Sequence, residues 1–412
     1  MLAAINKNMN RKDNFKDYLV EIPNFLSIFV FAFFFMVASP MLIDIAVSTG
    51  IDTGNLSLVF TFYTIGAVVG QLTSVLYNRK FRKLYVIIAS YIIAILFIVF
   101  LSFSNNLYLF YILYLLIGYL LGVIWIQANE YILESKVKNK DRITTIALSF
   151  YPVGAFAAPL VASSVIRSGF SWRLSYYVII FIIVVTIILY LSLIGGRGGR
   201  KVIEEKEKVS FKEIFTDSRR NIMFLLITVS IVFYCASETI ISAWSPTFFR
   251  SERMFDIQTA GLVISIFWIS VIIGRAVVSS MAGKIRSGYV MLGLSVAAII
   301  SMIFMIFLKS RYAILIAMSF TGLGFSGMFP LLISSGSAVY KKGKGVLITI
   351  LFAASNIGIS IAPFITRLIS RYNITFSVSL AIISMFLVML FLIAYMVREN
   401  KIADTKIIIN DE

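Results

Sequence analysis

Histidine is absent from the 412 residues, and there is a single cysteine, Cys235. One cysteine excludes a disulfide within the chain. Without histidine, neither a metal-ligand cluster nor a catalytic triad can be assembled. The ATP-binding string G-x-x-x-x-G-K-[ST] is missing as well. We therefore expect no enzyme, no metal site and no cofactor, and any proton chemistry must use carboxyl or tyrosine groups.

Charged residues are also scarce. They make up 14% of the chain, whereas 59% is hydrophobic and 15% aromatic. Soluble proteins average about 25% charged and about 45–50% apolar residues. A water-facing surface cannot be built from so few polar residues, so the main solvent of this chain must be lipid.

Apolar runs of about 20 residues, each long enough to cross a hydrocarbon core of ~30 Å as a helix, recur along the whole sequence. There are twelve, at 22–47, 58–77, 84–103, 107–133, 143–166, 174–194, 221–249, 259–282, 289–308, 312–333, 346–369 and 376–397. The predicted fold class is an all-α membrane protein with 12 transmembrane helices.

The net charge of +17 is a signal of topology. Of the 37 Lys and Arg residues, 28 lie in the two termini and alternate loops, and 8 lie in the opposite loops. Short loops rich in Lys and Arg stay in the cytoplasm. We therefore expect a multi-pass protein of the cytoplasmic (inner) membrane with both termini inside, and no nucleic-acid partner.

Residues 195–220 are the only long polar stretch between two spans. Polar segments of this kind mark domain boundaries. The sequence predicts an N-terminal six-helix bundle at 1–194, a cytoplasmic linker at 195–220, and a C-terminal six-helix bundle with a short tail at 221–412.

The two predicted bundles resemble each other at a fixed offset. Five residues recur 204 positions later, namely Gly70, Gly118, Gly154, Pro159 and Arg167, which match Gly274, Gly322, Gly358, Pro363 and Arg371. Because each half has an even number of spans, the two copies have the same orientation. Parallel repeats of this sort are typical of major facilitator transporters.

The string SVLYNRKFRKL, at 74–84, resembles the signature G-x-L-x-D-R-x-G-R-[KR] of the major facilitator superfamily. The positions in register are Leu76, Arg79, Arg82 and Lys83, and the positions that depart are Ser74, Asn78 and Phe81. ESKVKNKDR at 134–142 and GFSWR at 169–173 resemble the family's motifs before spans 5 and 6.

Four shorter strings resemble the fucose permease-like branch, which comprises the fucose–galactose–glucose proton symporters and their TsgA-like relatives. They are FFFMVASPMLIDI in span 1, QANEYI in span 4, FYCASETIISAWSPTFF in span 7 and SGMFPLLISSG in span 10. The resemblance implies the two-bundle fold and proton-coupled transport of a small solute.

Two carboxylates interrupt apolar spans, Asp44 in span 1 and Glu238 in span 7. A charge at mid-membrane is unfavourable by ~2.5–3.5 kcal/mol or more, so such groups usually face a cavity or a bundle interior. We predict that both take part in proton coupling, and Asp44 matches the proton-linked acid of the branch. The alternatives are hydration of Asp44 at the outer mouth and a plain interhelical hydrogen bond at Glu238. For Glu130 a gate or surface role is favoured.

Polar and aromatic residues in the spans are candidate substrate ligands: Tyr63, Trp125, Gln127, Asn129, Trp244, Trp268 and Asn356. Amides and indoles suit hydroxyl-rich solutes, but amides also hold membrane helices together, and aromatic residues also pack or anchor. In the fucose permease an acid of span 4 binds substrate, and the resemblance places Trp125 at that position. The same sugar cannot be assumed.

Basic residues at the inner end of span 2 predict a gate that pairs with acids or helix ends of the neighbouring bundle. Arg275 and the Glu134/Arg142 pair are also candidate partners. The gating candidates are Asn78, Arg79, Arg82, Lys83, Glu134, Arg142 and Arg275. The alternative is that these charges only set the topology.

The function favoured by the sequence is proton-coupled uptake of a small polar solute, a sugar or related metabolite, by a monomer in the lipid bilayer. An exporter of metabolites or drugs that exchanges protons shares the same fold. A scaffold or receptor would need a large domain outside the membrane, and none is visible. The span 5 string GAFAAPLVAS lacks the central G-P and the final glycines of drug antiporters, which argues against export.

Overall fold

The structure is a computed structural model that describes residues 15–78, 81–135, 137, 140–194, 218–281, 284–340, 344–370 and 372–410. These residues form helices joined by short turns, and none of them lies in a β-strand. Contacts divide them into two compact units. The first extends to Asp52 and resumes at Phe62, and the second contains Thr53–Thr61 and the described chain from Ser218 onward.

The described helices, in chain order, are α1 Phe15–Leu19, α2 Ile22–Thr49, α3 Thr53–Leu56, α4 Val59–Asn78, α5 Lys83–Phe103, α6 Leu107–Leu133, α7 Lys140–Arg167, α8 Arg173–Leu193, α9 Ser218–Glu252, α10 Ile257–Met281, α11 Ser287–Phe307, α12 Arg311–Ser326, α13 Met328–Ala338, α14 Lys344–Ser370 and α15 Ile374–Asn410.

Within the described residues, twelve helical segments are long and apolar enough to cross a membrane, which confirms the predicted number. The helix of span 1 begins at Ile22, as predicted, whereas the helix of span 12 continues to Asn410, beyond the predicted limit of 397. Hydropathy marks only the apolar part of a helix, whereas backbone hydrogen bonds continue into its polar ends. The predicted division into two bundles and a linker stays a prediction, because residues 195–217 lie outside the described ranges.

Span 10 was predicted as one continuous helix, and the structure divides it into two. It consists of α12 and α13, with Gly327 between them at φ −101° and ψ −9°. The cause lies in the sequence, because Pro330 has no backbone N–H and cannot donate to the carbonyl of Ser326. The span is therefore broken at mid-length.

The sequence repeat is also a repeat of helix contacts within each unit. A Cβ added to Gly118 on α6 would lie 2.1 Å from the carbonyl oxygen of Tyr63 on α4. A Cβ added to Gly322 on α12 would lie 2.3 Å from the carbonyl oxygen of Phe267 on α10. Tyr63 and Phe267 are themselves 204 positions apart, so both ends of this contact recur at the offset found in the sequence.

A second repeated contact joins the first and fifth spans of each half. A Cβ on Gly154 of α7 would lie 2.4 Å from the carbonyl oxygen of Phe29 on α2. A Cβ on Gly358 of α14 would lie 2.1 Å from the carbonyl oxygen of Val232 on α9. Small residues let membrane helices approach closely. The recurring glycines therefore mark where the helices of each unit touch.

A buried polar chain crosses the first unit from α2 to α5 and α8. Tyr91 donates to the hydroxyl of Ser27 at 2.9 Å, and that hydroxyl lies 2.9 Å from the hydroxyl of Tyr190. Tyr190 donates to Asn24 Oδ1 at 2.8 Å, and Asn24 Nδ2 donates to Glu21 at 2.7 Å. These hydrogen bonds fix the N-terminal part of α2, and their residues are too far apart in the sequence to be connected by pattern alone.

Candidate functional site

Glu238 lies in the middle of α9 and is half-buried. One turn earlier on the same helix, the buried Tyr234 places its hydroxyl 2.8 Å from Glu238 Oε1. The same hydroxyl lies 3.0 Å from the carbonyl oxygen of Phe325, the residue before the last of α12. Glu238 is thus connected through one tyrosine to the break in span 10.

Arg275 on α10 contacts the same break from another helix. Its Nε donates to the carbonyl oxygen of Ser326 at 3.2 Å. That carbonyl is the one which Pro330 leaves without a helical donor. Arg275 also lies close enough to Glu238 to act on it electrostatically. The phenol of Tyr234 and the guanidinium of Arg275 therefore contact the last two carbonyls of α12, and the carboxyl of Glu238 is bonded to that phenol.

Asp44 lies on α2, which ends at Thr49 with Gly50 as its C-cap. Its side chain is partly exposed, and Val47, one turn on, is 80% exposed. Asp44 is therefore about one and a half turns from the helix end. This placement is compatible both with the predicted proton-coupling role and with the hydrated alternative.

Two of the substrate candidates in the first unit meet in an aromatic cluster. The ring of Phe31 lies 4.9 Å from Trp125 and 5.6 Å from Tyr63, measured between centroids. Tyr151 lies edge-on to Trp125 at 5.9 Å. Tyr63 is buried and donates to the carbonyl oxygen of Phe31 at 2.9 Å, whereas Trp125 is partly exposed. Phe31, Trp125 and Tyr151 are each partly exposed, so Tyr63 is the buried member of this cluster.

The amide candidates differ in their contacts. Gln127 is buried, and its Nε2 donates to the hydroxyl of Ser74 on α4 at 2.8 Å, so it joins two helices. Its Oε1 has no hydrogen-bond partner among the described residues. Asn129 donates to the carbonyl oxygen of Trp125 in its own helix at 2.7 Å. Asn356 on α14 is partly exposed.

The tryptophan candidates of the second unit are both buried. Trp268 packs edge-on against Phe267 with ring centroids 5.2 Å apart. On α9, three buried polar atoms have no hydrogen-bond partner within the described part of the chain, namely Trp244 Nε1, Ser245 Oγ and Thr247 Oγ1. Buried polar groups without partners are rare in proteins.

The gating candidates lie partly outside the described residues. This applies to Arg79 and to the side chains of Asn78 and Arg142. Arg82 is exposed, and Lys83 forms ion pairs with Glu130, at 3.0 Å, and with Glu134. Both acids belong to the first unit. Glu134 is one of the partners suggested from the sequence, whereas Glu130 is an additional one. The gating role stays a prediction.

A cavity of about 450 Å³ lies in the second unit, between the start of α9, the start of α11, α13 and the end of α15. Arg220, Arg286 and Glu399 are the charged residues of its lining. None of the predicted site residues contributes to it, so it is separate from the region around Glu238.

The model of the Major Facilitator Superfamily matches residues 25–363. The chain belongs to the major facilitator superfamily. This confirms the resemblance seen in the motifs. It also identifies the protein as a multi-pass membrane transporter and not an enzyme.

Curated relatives of this major facilitator protein are distant and cover most of the chain. The glucose/mannose transporter GlcP of Bacillus subtilis (strain 168) is 20% identical over 352 residues, which are 82% of this chain and 86% of the relative. A TsgA homolog of Buchnera aphidicola subsp. Schizaphis graminum (strain Sg) is 21% identical over 350 residues, covering 83% and 87%. TsgA-like proteins, named above from short strings, are thus among the relatives.

Solved structures of similar fold include a D-xylose-proton symporter, with a TM-score of 0.73 and 14% identity over 91% of this chain and 97% of the other. The nucleoside transporter NupG has a TM-score of 0.69 and 16% identity, over 93% of this chain and 99% of the other. At these identities the likeness establishes the fold of this major facilitator protein.

Sequence reasoning did not find Tyr234, Phe325 or Ser326 as neighbours of Glu238. Two signals for them were present. Tyr234 precedes Glu238 by four residues, the spacing of side-chain neighbours on a helix. Pro330 indicates that the carbonyl of Ser326, four residues earlier, lacks a helical donor. No local sequence pattern shows that α9 and α10 contact Phe325 and Ser326 of this transporter.

Proposed function

We propose that this transporter takes up a small polar solute, a sugar or a related metabolite, together with protons, by alternating access. The observation that carries the proposal is the half-buried carboxyl of Glu238 within an apolar helix, bonded to Tyr234. A charge there is unfavourable, yet partial accessibility allows a proton to arrive and leave. A carboxyl that is neutral in one conformation and ionised in another carries a proton. Asp44 is the second proposed proton-coupling group.

Hydroxyl-rich solutes are the favoured class. The relatives and structural neighbours named above include transporters of glucose, mannose, D-xylose and nucleosides. In this chain, the partly exposed ring of Trp125 offers a surface on which the apolar face of a sugar can stack.

Transport by purified protein in liposomes tests the proposal. With a more acidic external solution, a hexose, a pentose or a nucleoside from a panel should accumulate inside, and the external pH should rise as it enters. We expect Asp44→Asn to lower this accumulation strongly while the protein remains folded. Uptake that ignores the pH gradient for every solute, or extrusion of lipophilic cations instead, would refute proton-coupled uptake.

We also propose that both termini lie in the cytoplasm, as the distribution of Lys and Arg suggests. The single native cysteine, Cys235, is buried and should give little background in labelling. In intact cells a membrane-impermeant maleimide should label Ser310→Cys, in an exposed turn predicted to be external, but not Lys284→Cys until the cells are opened. The reverse labelling pattern would invert the proposed topology.

A further inference from the structure

The hydroxyl of Tyr234 has one proton and two acceptors within reach. Glu238 Oε1 lies at 2.8 Å, and the carbonyl oxygen of Phe325 lies at 3.0 Å. A phenol donates one hydrogen bond. If Glu238 is ionised, the two acceptors compete for that proton. If Glu238 is protonated, its O–H donates to Tyr234 and Tyr234 donates to Phe325, so that every group is satisfied.

We propose that Tyr234 is a positioning residue that connects the protonation state of Glu238 to the break between α12 and α13. With a neutral carboxyl, the Tyr234 hydroxyl points to Phe325 and holds the end of α12. When the carboxyl releases its proton to water, the tyrosine keeps its own proton and turns it toward the carboxylate, which frees the Phe325 carbonyl. The inference rests on the proposed function, in which Glu238 carries the proton.

Arg275 makes the link stronger. It donates to the Ser326 carbonyl, and an ionised Glu238 attracts its guanidinium away from that carbonyl. The groups that act electrostatically on Glu238 are Tyr234 and Arg275, with the thiol of Cys235 beside it on α9.

The junction between α12 and α13 can change its conformation because the backbone hydrogen bonding of span 10 is already interrupted there. Pro330 removes one backbone hydrogen bond there, and Gly327 joins the two helices. A Cβ on Gly327 would lie 2.6 Å from Val278 of α10, so α10 presses against the break. Two carbonyls with side-chain donors therefore hold a bend that the backbone alone does not fix.

Hydrogen exchange of the amides of Met328, Phe329 and Leu331, in protein embedded in lipid nanodiscs, measures this link. The measured rates are first corrected for the intrinsic pH dependence of amide exchange. In the wild type the corrected exchange rate should then rise by roughly three- to tenfold across the pH range in which proton-driven accumulation changes, as expected for one or two lost hydrogen bonds. In Tyr234→Phe this pH dependence should disappear, and proton-driven accumulation should fall while solute exchange continues.

Tyr395→Phe is the matched control. Tyr395 also precedes a glutamate by four residues, with its hydroxyl 3.4 Å from Glu399 Oε1, but it lies on α15 away from the break. It should leave both measurements unchanged. If Glu238→Gln abolishes proton coupling but Tyr234→Phe keeps the pH-dependent exchange, the inference is wrong and the proposed function stands. If Glu238→Gln leaves proton coupling intact, Glu238 does not carry the proton, and the inference about Tyr234 is wrong as well.

Discussion

Replacing Glu238 by glutamine should stop solute accumulation while solute exchange across the membrane continues. Gln has nearly the same shape, and its amide N–H can donate to the Tyr234 hydroxyl as a protonated carboxyl would, so that hydroxyl can still donate to the Phe325 carbonyl. What it loses is a proton that can be released. A transporter fixed in its proton-loaded form can still exchange solute, but it cannot use a pH gradient to concentrate it.

The expected size of this effect follows from the driving force. A gradient of one pH unit stores ~1.4 kcal/mol per proton, which sustains about tenfold accumulation when one proton accompanies one solute. Glu238→Gln should therefore lower the inside-to-outside concentration ratio of the solute from about 10 to about 1. The measurement is radiolabelled solute in proteoliposomes, under a pH gradient and in equilibrium exchange.

Glu252→Gln is the control for this experiment. It makes the same chemical change at an exposed carboxylate, the last residue of α9. Surface substitutions usually change stability by less than about 0.5 kcal/mol, so this variant should fold and should still accumulate solute. Wild-type accumulation by Glu238→Gln would show that the proton is carried elsewhere, with Asp44 as the next candidate.

The spans and their repetition could be predicted because both depend on local or periodic features. Apolar runs give the twelve helices. The offset of 204 gives Gly118 and Gly322, and the structure shows that their contact partners Tyr63 and Phe267 share that offset. A glycine at a helix crossing is constrained by the backbone of its neighbour, so the repeat keeps both members of the contact.

The surroundings of the carboxylates could not be predicted in the same way. Sequence identified Glu238 as an intramembrane acid, but a hydrogen bond from Tyr234 to Phe325 joins positions 91 residues apart. Arg275 was assigned to a gate because of its position near the inner end of a span. Its contact with Ser326 exists because Pro330 leaves an acceptor free there, which requires knowing that α10 lies beside α12.

The ion pairs of Lys83 could be predicted only in part. The sequence suggested acids or helix ends of the neighbouring bundle, and also Glu134, as partners. In the structure Lys83 pairs with Glu134 and with Glu130, both at the end of α6 in its own unit. These acids are one turn apart on one helix face, so a single ammonium contacts both. The motif identifies a basic residue at this end of the helix, while local packing selects its partner.

The smallest possible side chain at Gly118 should destabilise the protein severely. In Gly118→Ala the new Cβ would lie 2.1 Å from the Tyr63 carbonyl oxygen, so α4 and α6 must separate. Gly66 and Gly122 make equally short approaches in this helix pair, at 2.0 Å and 2.3 Å to backbone oxygens, and would lose contact together. We expect a loss of about 3 kcal/mol, or a fall in Tm of about 5–10 °C, from overpacking against backbone that cannot rotate away.

Two further alanine variants decide whether helix contact is the cause. Gly322→Ala, the repeat of this position, should show a similar fall, because its Cβ would lie 2.3 Å from the Phe267 carbonyl oxygen. Gly293→Ala on α11 has nothing within 4 Å of the new Cβ. Because alanine favours helix by about 1 kcal/mol over glycine, it should match or slightly exceed the wild-type Tm. Thermal unfolding in detergent compares all three variants. If Gly118→Ala were as stable as Gly293→Ala, then α4 and α6 would not approach each other as closely as the 2.1 Å distance to the Tyr63 carbonyl oxygen indicates.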